Sequence, residues 1–166
     1  MSLFELCKML QESEIGMAIH SSLYFFPFVE TIHVLGLSVS VGTILWFDLR
    51  AMGLNMRQQP VSRVFAAVRP WMLAGFIAMF LTGAIMFWAH AALCYLNPSF
   101  RVKTVGLVLA GFNALYFHFK TQHGMAEWDN APTPPLGVRL AGLFSVLLWG
   151  VIIAAGRMMA YTPVDY

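Results

Sequence analysis

Five histidines, His20, His33, His90, His118 and His123, stand in a chain with few other groups able to do chemistry. Two of them, His33 and His118, fall inside long apolar segments. An imidazole in hydrocarbon is costly and tends to mark function. It needs a metal, a haem iron, a proton path or a hydrogen bond between helices. Haem held between facing helices requires a histidine from each helix at matching depth, with small residues beside it to admit the flat macrocycle. His33 has Gly36 and Ser40 at i+3 and i+7, and His118 has Ala114 and Gly111 at i−4 and i−7. Small residues serve close helix packing equally well, so the same pattern admits a structural hydrogen-bonding pair.

The elements that would position these side chains follow from composition. The 166 residues are 59% hydrophobic and only 11% charged, with a mean hydropathy of +0.70. Soluble domains carry about 25% charged residues, so this chain has too little polar surface to cover itself in water. It is expected to be all-α, a single integral membrane four-helix bundle over residues 1–166. A crossing takes about 20 apolar residues. The expected spans are Leu23–Phe47, Trp71–His90, Val102–Phe119 and Leu140–Gly156. Leu3, Leu6, Cys7 and Leu10 recur at helical spacing ahead of them, predicting a short interfacial helix over about 2–14. Met1–Gly16 carries Glu5, Lys8, Glu12 and Glu14 and so does not read as a signal peptide. The net charge of +2 gives no case for nucleic acid.

An even number of spans puts both termini on one side. That side holds Lys8, Arg101, Lys103 and Arg157, against Arg50, Arg57, Arg63, Arg69, Lys120 and Arg139 on the other. The positive-inside rule therefore expects a multi-pass protein of the bacterial inner membrane with its termini outside. Cys7 and Cys94 then share the outer side, either as a disulfide or as two free thiols. With no CxxC, thiolate zinc and iron–sulfur sites are not expected.

Depth decides which histidines can pair. At about 1.5 Å per residue, His33 lies roughly 10–20 Å from the outer surface and His118 roughly 20–25 Å. Tilt of the first span would level them. A start at Pro27 would instead favour His33 with His90. His20 and His90 share the outer level and form a candidate second pair, so two haems at two depths would make a wire across the membrane. The alternative for His20 is a headgroup-level residue, and His123 reads as a loop residue. Glu30, one turn before His33, is placed to hydrogen-bond a ligand histidine, to carry protons, or to sit at the headgroups. Met72, Met79 and Met86 share a face at seven-residue spacing, which reads as packing rather than a copper path. Asp48 and Arg50 close the first span, in a structural role. Trp46, Trp71, Trp88 and Trp149 would anchor span ends or pack near a cofactor.

The run Glu30-Thr31-Ile32-His33-Val34-Leu35-Gly36, followed by Gly42, Asp48-Leu49-Arg50 and Gly53, resembles a family of small, uncharacterised bacterial membrane proteins. So does Val102-Lys103 with Ala110-Gly111-Phe112-Asn113-Ala114 and His118. The first block is more distantly similar to the copper-resistance D-type membrane proteins. Both blocks resemble the HemJ-type protoporphyrinogen oxidases, four-helix proteins that bind haem b. That resemblance implies that His33 and Lys103 contribute to a haem site. This chain departs from it in a longer N-terminal helix and an extra Pro-rich loop.

The sequence expectation is a b-type haem protein, with one haem or two, passing electrons between a quinone and a partner redox protein in the bilayer. His33 and His118 would ligate the iron, with His90 and His20 as the second pair. The alternatives are a HemJ-like oxidase and a non-redox or copper-handling membrane subunit. Homo- or hetero-oligomers are both compatible with the sequence.

Overall fold

The computed structural model describes residues 2–121, 125–162 and 164; His123 lies outside them. Eight α-helices follow in order among the described residues. Four are long and apolar enough to cross a bilayer: α3 (Phe25–Ala51), α4 (Val61–Ala89), α6 (Pro98–Tyr116) and α8 (Leu136–Met158). The chain is an all-helical, multi-pass membrane bundle.

Several boundaries differ from the expectation, each for a reason visible in the hydrogen bonding. The expected interfacial helix is two helices, α1 (Leu3–Gln11) and α2 (Glu14–Ser21). Ser2 and Glu5 form a capping box on α1, and the Ser13 hydroxyl accepts from the Gly16 amide to cap α2. A new N-cap two residues after α1 ends is what divides them. Helix α4 begins ten residues before the expected Trp71, because Arg63, Arg69 and Pro70 interrupt the apolar run without interrupting the helix. Asp129 makes that early start good. Its backbone carbonyl and its carboxylate accept from the Val61 and Ser62 amides, and the Ser62 hydroxyl adds a third bond at 2.6 Å. A short α5 (Ala91–Leu96) bridges α4 to α6, whose first turn carries Pro98 and is capped by the Asn97 side chain. Helix α6 runs on as a π turn, Phe117–Thr121, and α7 (Met125–Trp128) is a single turn.

Helix α3 packs along α4 and α6 along α8, and α3 against α8 joins the two hairpins. The closest approach is at Gly36 and Gly75. A Cβ on Gly75 would lie 2.7 Å from the Ser40 amide nitrogen and 2.8 Å from the Gly36 carbonyl oxygen. Backbone thus lies on backbone, the small-residue packing by which membrane helices associate. Ser40, fully buried, bonds the Met79 sulfur at 3.1 Å.

Two apolar layers fill the bundle. One joins Phe47, Val61, Val64, Val68 and Val138 at the loop end. The other joins Ile44, Met79, Trp149 and Ile152 at mid-height. Rings link α4 to α6 at two levels, Phe65–Phe117 near the loops and a stacked Phe87–Phe100 pair near the termini. Helices α1 and α5 pack together over the terminal end, where the Gln11 side chain accepts from the Ala92 amide.

Candidate functional site

His33 faces α4. Its Nδ1 lies 2.9 Å from Thr82 Oγ1, and Thr82 donates its only hydroxyl proton to the Ala78 carbonyl at 2.6 Å. With that proton on the Ala78 carbonyl, the Thr82 oxygen is free to accept from His33 Nδ1–H, the tautomer that leaves the lone pair on Nε2. Gly83 makes room for the ring edge: a Cβ there would meet His33 Cε1 at 3.3 Å. Histidine with one nitrogen fixed by an outer partner and the other bare is the arrangement that orients metal-bound imidazoles.

Lys103 of α6 shares this layer. Gly83 lies one turn below Phe87, and Lys103 one turn below Phe100, the ring stacked on it. His33 and Lys103 are close enough for their charges to interact. The lysine stem lies along α8, with Nζ 3.7 Å from where a Gly156 Cβ would be. Glu30 is exposed.

His118 lies elsewhere. It sits exposed on the π turn, its ring against Phe119. The preceding Phe117 packs on Phe47 at 5.3 Å between ring centroids. Phe47 is fourteen residues below His33 on α3, about 21 Å at helical rise. His33 and His118 are therefore not brought to one macrocycle. The small residues near each diverge too. Gly36 and Ser40 are filled by α4, while a Cβ on Gly111 would meet nothing within 4 Å.

His20 and His90 do meet. His20 Nδ1 and His90 Nε2 are 3.0 Å apart, and the Phe26 ring packs on His90. The Met86 carbonyl lies beside the His90 ring. Burial foremost, with His20 beside it, lowers the His90 pKa below its usual value. Phe26 places this pair seven residues, about 10 Å, above His33. Beside it a groove of about 580 Å³ is lined by Gln11, Glu12, Glu14, Met17 and His20. Among the described residues, no group of three or more His, Cys, Asp or Glu side chains comes together to hold a metal.

Both cysteines are buried free thiols. Burial raises the Cys94 thiol to about 11, with Cys7 adding to the shift and Lys103 opposing it. Met79 is core, and Met72 packs on both apolar layers. Trp149 is buried, Trp46 and Trp71 are exposed, and the Trp88 indole donates to Ser13 of the α2 cap.

Sequence reasoning missed the part played by Thr82 and Gly83, which carry no signal without knowledge of which helix faces His33. It also missed how Arg50 is held. That side chain is wholly buried, with Nε donating to the Gln59 carbonyl at 2.8 Å and Nη2 to the Ala131 carbonyl at 3.2 Å. Asp48 is buried on the neighbouring face of α3, beside Ser145 of α8.

Residues 8–162 match the profile of a family described as a family of unknown function (DUF6644), and the chain belongs to that family. No curated protein and no solved structure matches it.

Proposed function

We propose that this member of the DUF6644 family is a b-type haem membrane protein that passes electrons between a quinone and a partner redox protein, with His33 as an axial ligand. One observation carries the reading: Thr82 spends its proton on Ala78, so His33 holds a bare Nε2 inside the terminal half of the bundle. An iron ligand requires that arrangement, one nitrogen held by an outer partner and the other bare. The residues present fit the group. Thr82 orients the imidazole, Gly83 cradles its edge, and Lys103 supplies a cation suited to a propionate. Haem, when bound, supplies one-electron exchange at a potential tuned by its ligands and burial.

His118 is too deep to share an iron with His33, so the second ligand would come from outside the chain. A second haem on His20 and His90 would have to part a direct 3.0 Å contact. The shared layer of His33 and Lys103 also favours a second reading, HemJ-like oxidation of a porphyrinogen, because that resemblance names the same two residues.

The test is a dithionite-reduced-minus-oxidised spectrum of detergent-purified protein with haem counted per polypeptide. A Soret band and a sharp α band are expected at one haem per chain, lost in His33→Ala and kept in His118→Ala. A ratio near two would assign a haem to His20 and His90. Colourless protein from haem-replete cells would refute the haem reading. Porphyrinogen oxidation by the purified protein would replace electron transfer with the oxidase.

A further inference from the structure

We infer that the cleft between α3 and α8 binds the ring of a lipid-soluble quinol, with Asp48 accepting a hydrogen bond from a ring hydroxyl. The cleft measures about 200 Å³ and is lined by Val41, Ile44 and Leu45 on one side and by Trp149 and Gly150 on the other, with Asp48 among them. A cavity of about 150 Å³ already admits benzene, so one substituted six-membered ring fits. Gly150 keeps the space open: a Cβ there would meet nothing within 4 Å. Leu45 and Ile153 at its rim are 41% and 42% exposed. In a helix bundle this apolar, that exposed rim faces lipid, so a ligand enters sideways from the bilayer.

Asp48 distinguishes this cleft from a gap between helices. It is only 5% exposed, yet its Oδ2 has no hydrogen-bond partner. Arg50 does not supply one, since its guanidinium is turned to the Gln59 and Ala131 carbonyls. Leaving a buried carboxyl oxygen unpartnered is costly, and a hydroxyl arriving through the cleft removes that cost. A lipid tail cannot. Trp149 beside it offers an aromatic wall against which a ring packs better than a chain. Asp48 thus selects a hydroxyl, Trp149 a ring, and the lateral opening a lipid-soluble carrier. The choice of a redox-active ring rests on the electron-transfer reading above.

The experiment is equilibrium binding of decylubiquinol, with decylbenzene as a competitor lacking hydroxyls, to the whole purified protein in lipid nanodiscs. The expected result is saturable quinol binding that decylbenzene does not displace. Gly150→Leu, which fills the cleft, should weaken it at least tenfold with an unchanged melting temperature. Asp48→Asn keeps the side-chain shape and should also weaken quinol binding severalfold, which preserves the test if the larger leucine disturbs the fold. Wild-type protein that binds no quinol, displacement by decylbenzene, or equal binding by both variants would overturn the proposal. Protein that comes colourless from haem-replete cells yet binds quinol at this cleft would refute electron transfer and leave the site standing. Haem-loaded protein indifferent to Gly150→Leu would refute the site alone.

Discussion

Replacing Gly75 by alanine tests the packing that places Thr82 against His33. The added methyl would lie 2.7 Å from the Ser40 amide nitrogen and 2.8 Å from the Gly36 carbonyl. Both are backbone atoms of α3 and cannot swing away as a side-chain end would. The first distance falls about 0.7 Å short of the 3.4 Å at which ordinary contact begins, so the two helices must part. Overpacking of this kind costs about 1–3 kcal/mol. Alanine is also the better helix former by about 1 kcal/mol, which would mask part of the loss. Gly42→Ala provides the reference. It lies in the same helix-rich surroundings, gains the same propensity, and its Cβ would meet nothing within 4 Å. The difference between the two variants is then the clash itself, about 1–3 kcal/mol, read by SDS titration of the protein in mixed micelles. Thr82 lies two turns from Gly75 on α4, so the parted helices should also stretch the 2.9 Å His33–Thr82 contact and lower haem retention. Gly75→Ala as stable as Gly42→Ala would refute the close crossing and with it the placing of His33 derived from it.

Thr82→Val should leave the bundle folded, cost about 1 kcal/mol for one hydrogen bond, and shift or broaden the haem spectrum as the ring loses its oriented tautomer; an unchanged spectrum would count against His33 as a ligand. His90 should make stability fall in acid. Its folded pKa lies below the ordinary 6.5, so the unfolded chain takes up the proton first, and the contribution is present above about pH 6.5 and lost as pH falls below it. The groups facing the ring are His20, Phe26 and the Met86 carbonyl. Melting temperature should therefore drop between pH 7 and pH 5 (roughly the span of an ordinary histidine titration), and drop less in His90→Gln. With its thiol near 11, Cys94 has roughly one thiolate in a thousand at pH 8, so maleimide should label it only after SDS unfolding; rapid labelling of the native protein would contradict its burial.

The four crossings were legible because apolar runs of bilayer length are a strong signal in a chain with so few charges. Their ends were less so. Arg63, Arg69 and Pro70 stopped the apolar run at Trp71 but did not stop α4, because helix ends are set by caps. The cap on the first turn of α4 comes from Asp129, 67 residues beyond Ser62 in sequence. The meeting of His20 with His90 agrees with their shared level along the chain. The separation of His33 from His118 did not follow from spacing, since it depends on α3 starting at Phe25 and α6 continuing through the π turn. Gly36 and Ser40 beside His33 carried two meanings in the sequence. Only the facing helix, with Gly75 and Ala78 against them, resolves these in favour of packing.

Arg50 imposes an order on how this chain is made. Its Gln59 partner lies nine residues ahead, but its Ala131 partner lies 81 residues ahead. At about 5–20 residues per second, that second carbonyl leaves the ribosome on the order of 4 to 16 seconds after the arginine. Until then the guanidinium has only one of its two carbonyl partners. The loop end of the first hairpin is therefore completed last, when the Pro-rich segment brings the Ala131 carbonyl to Arg50.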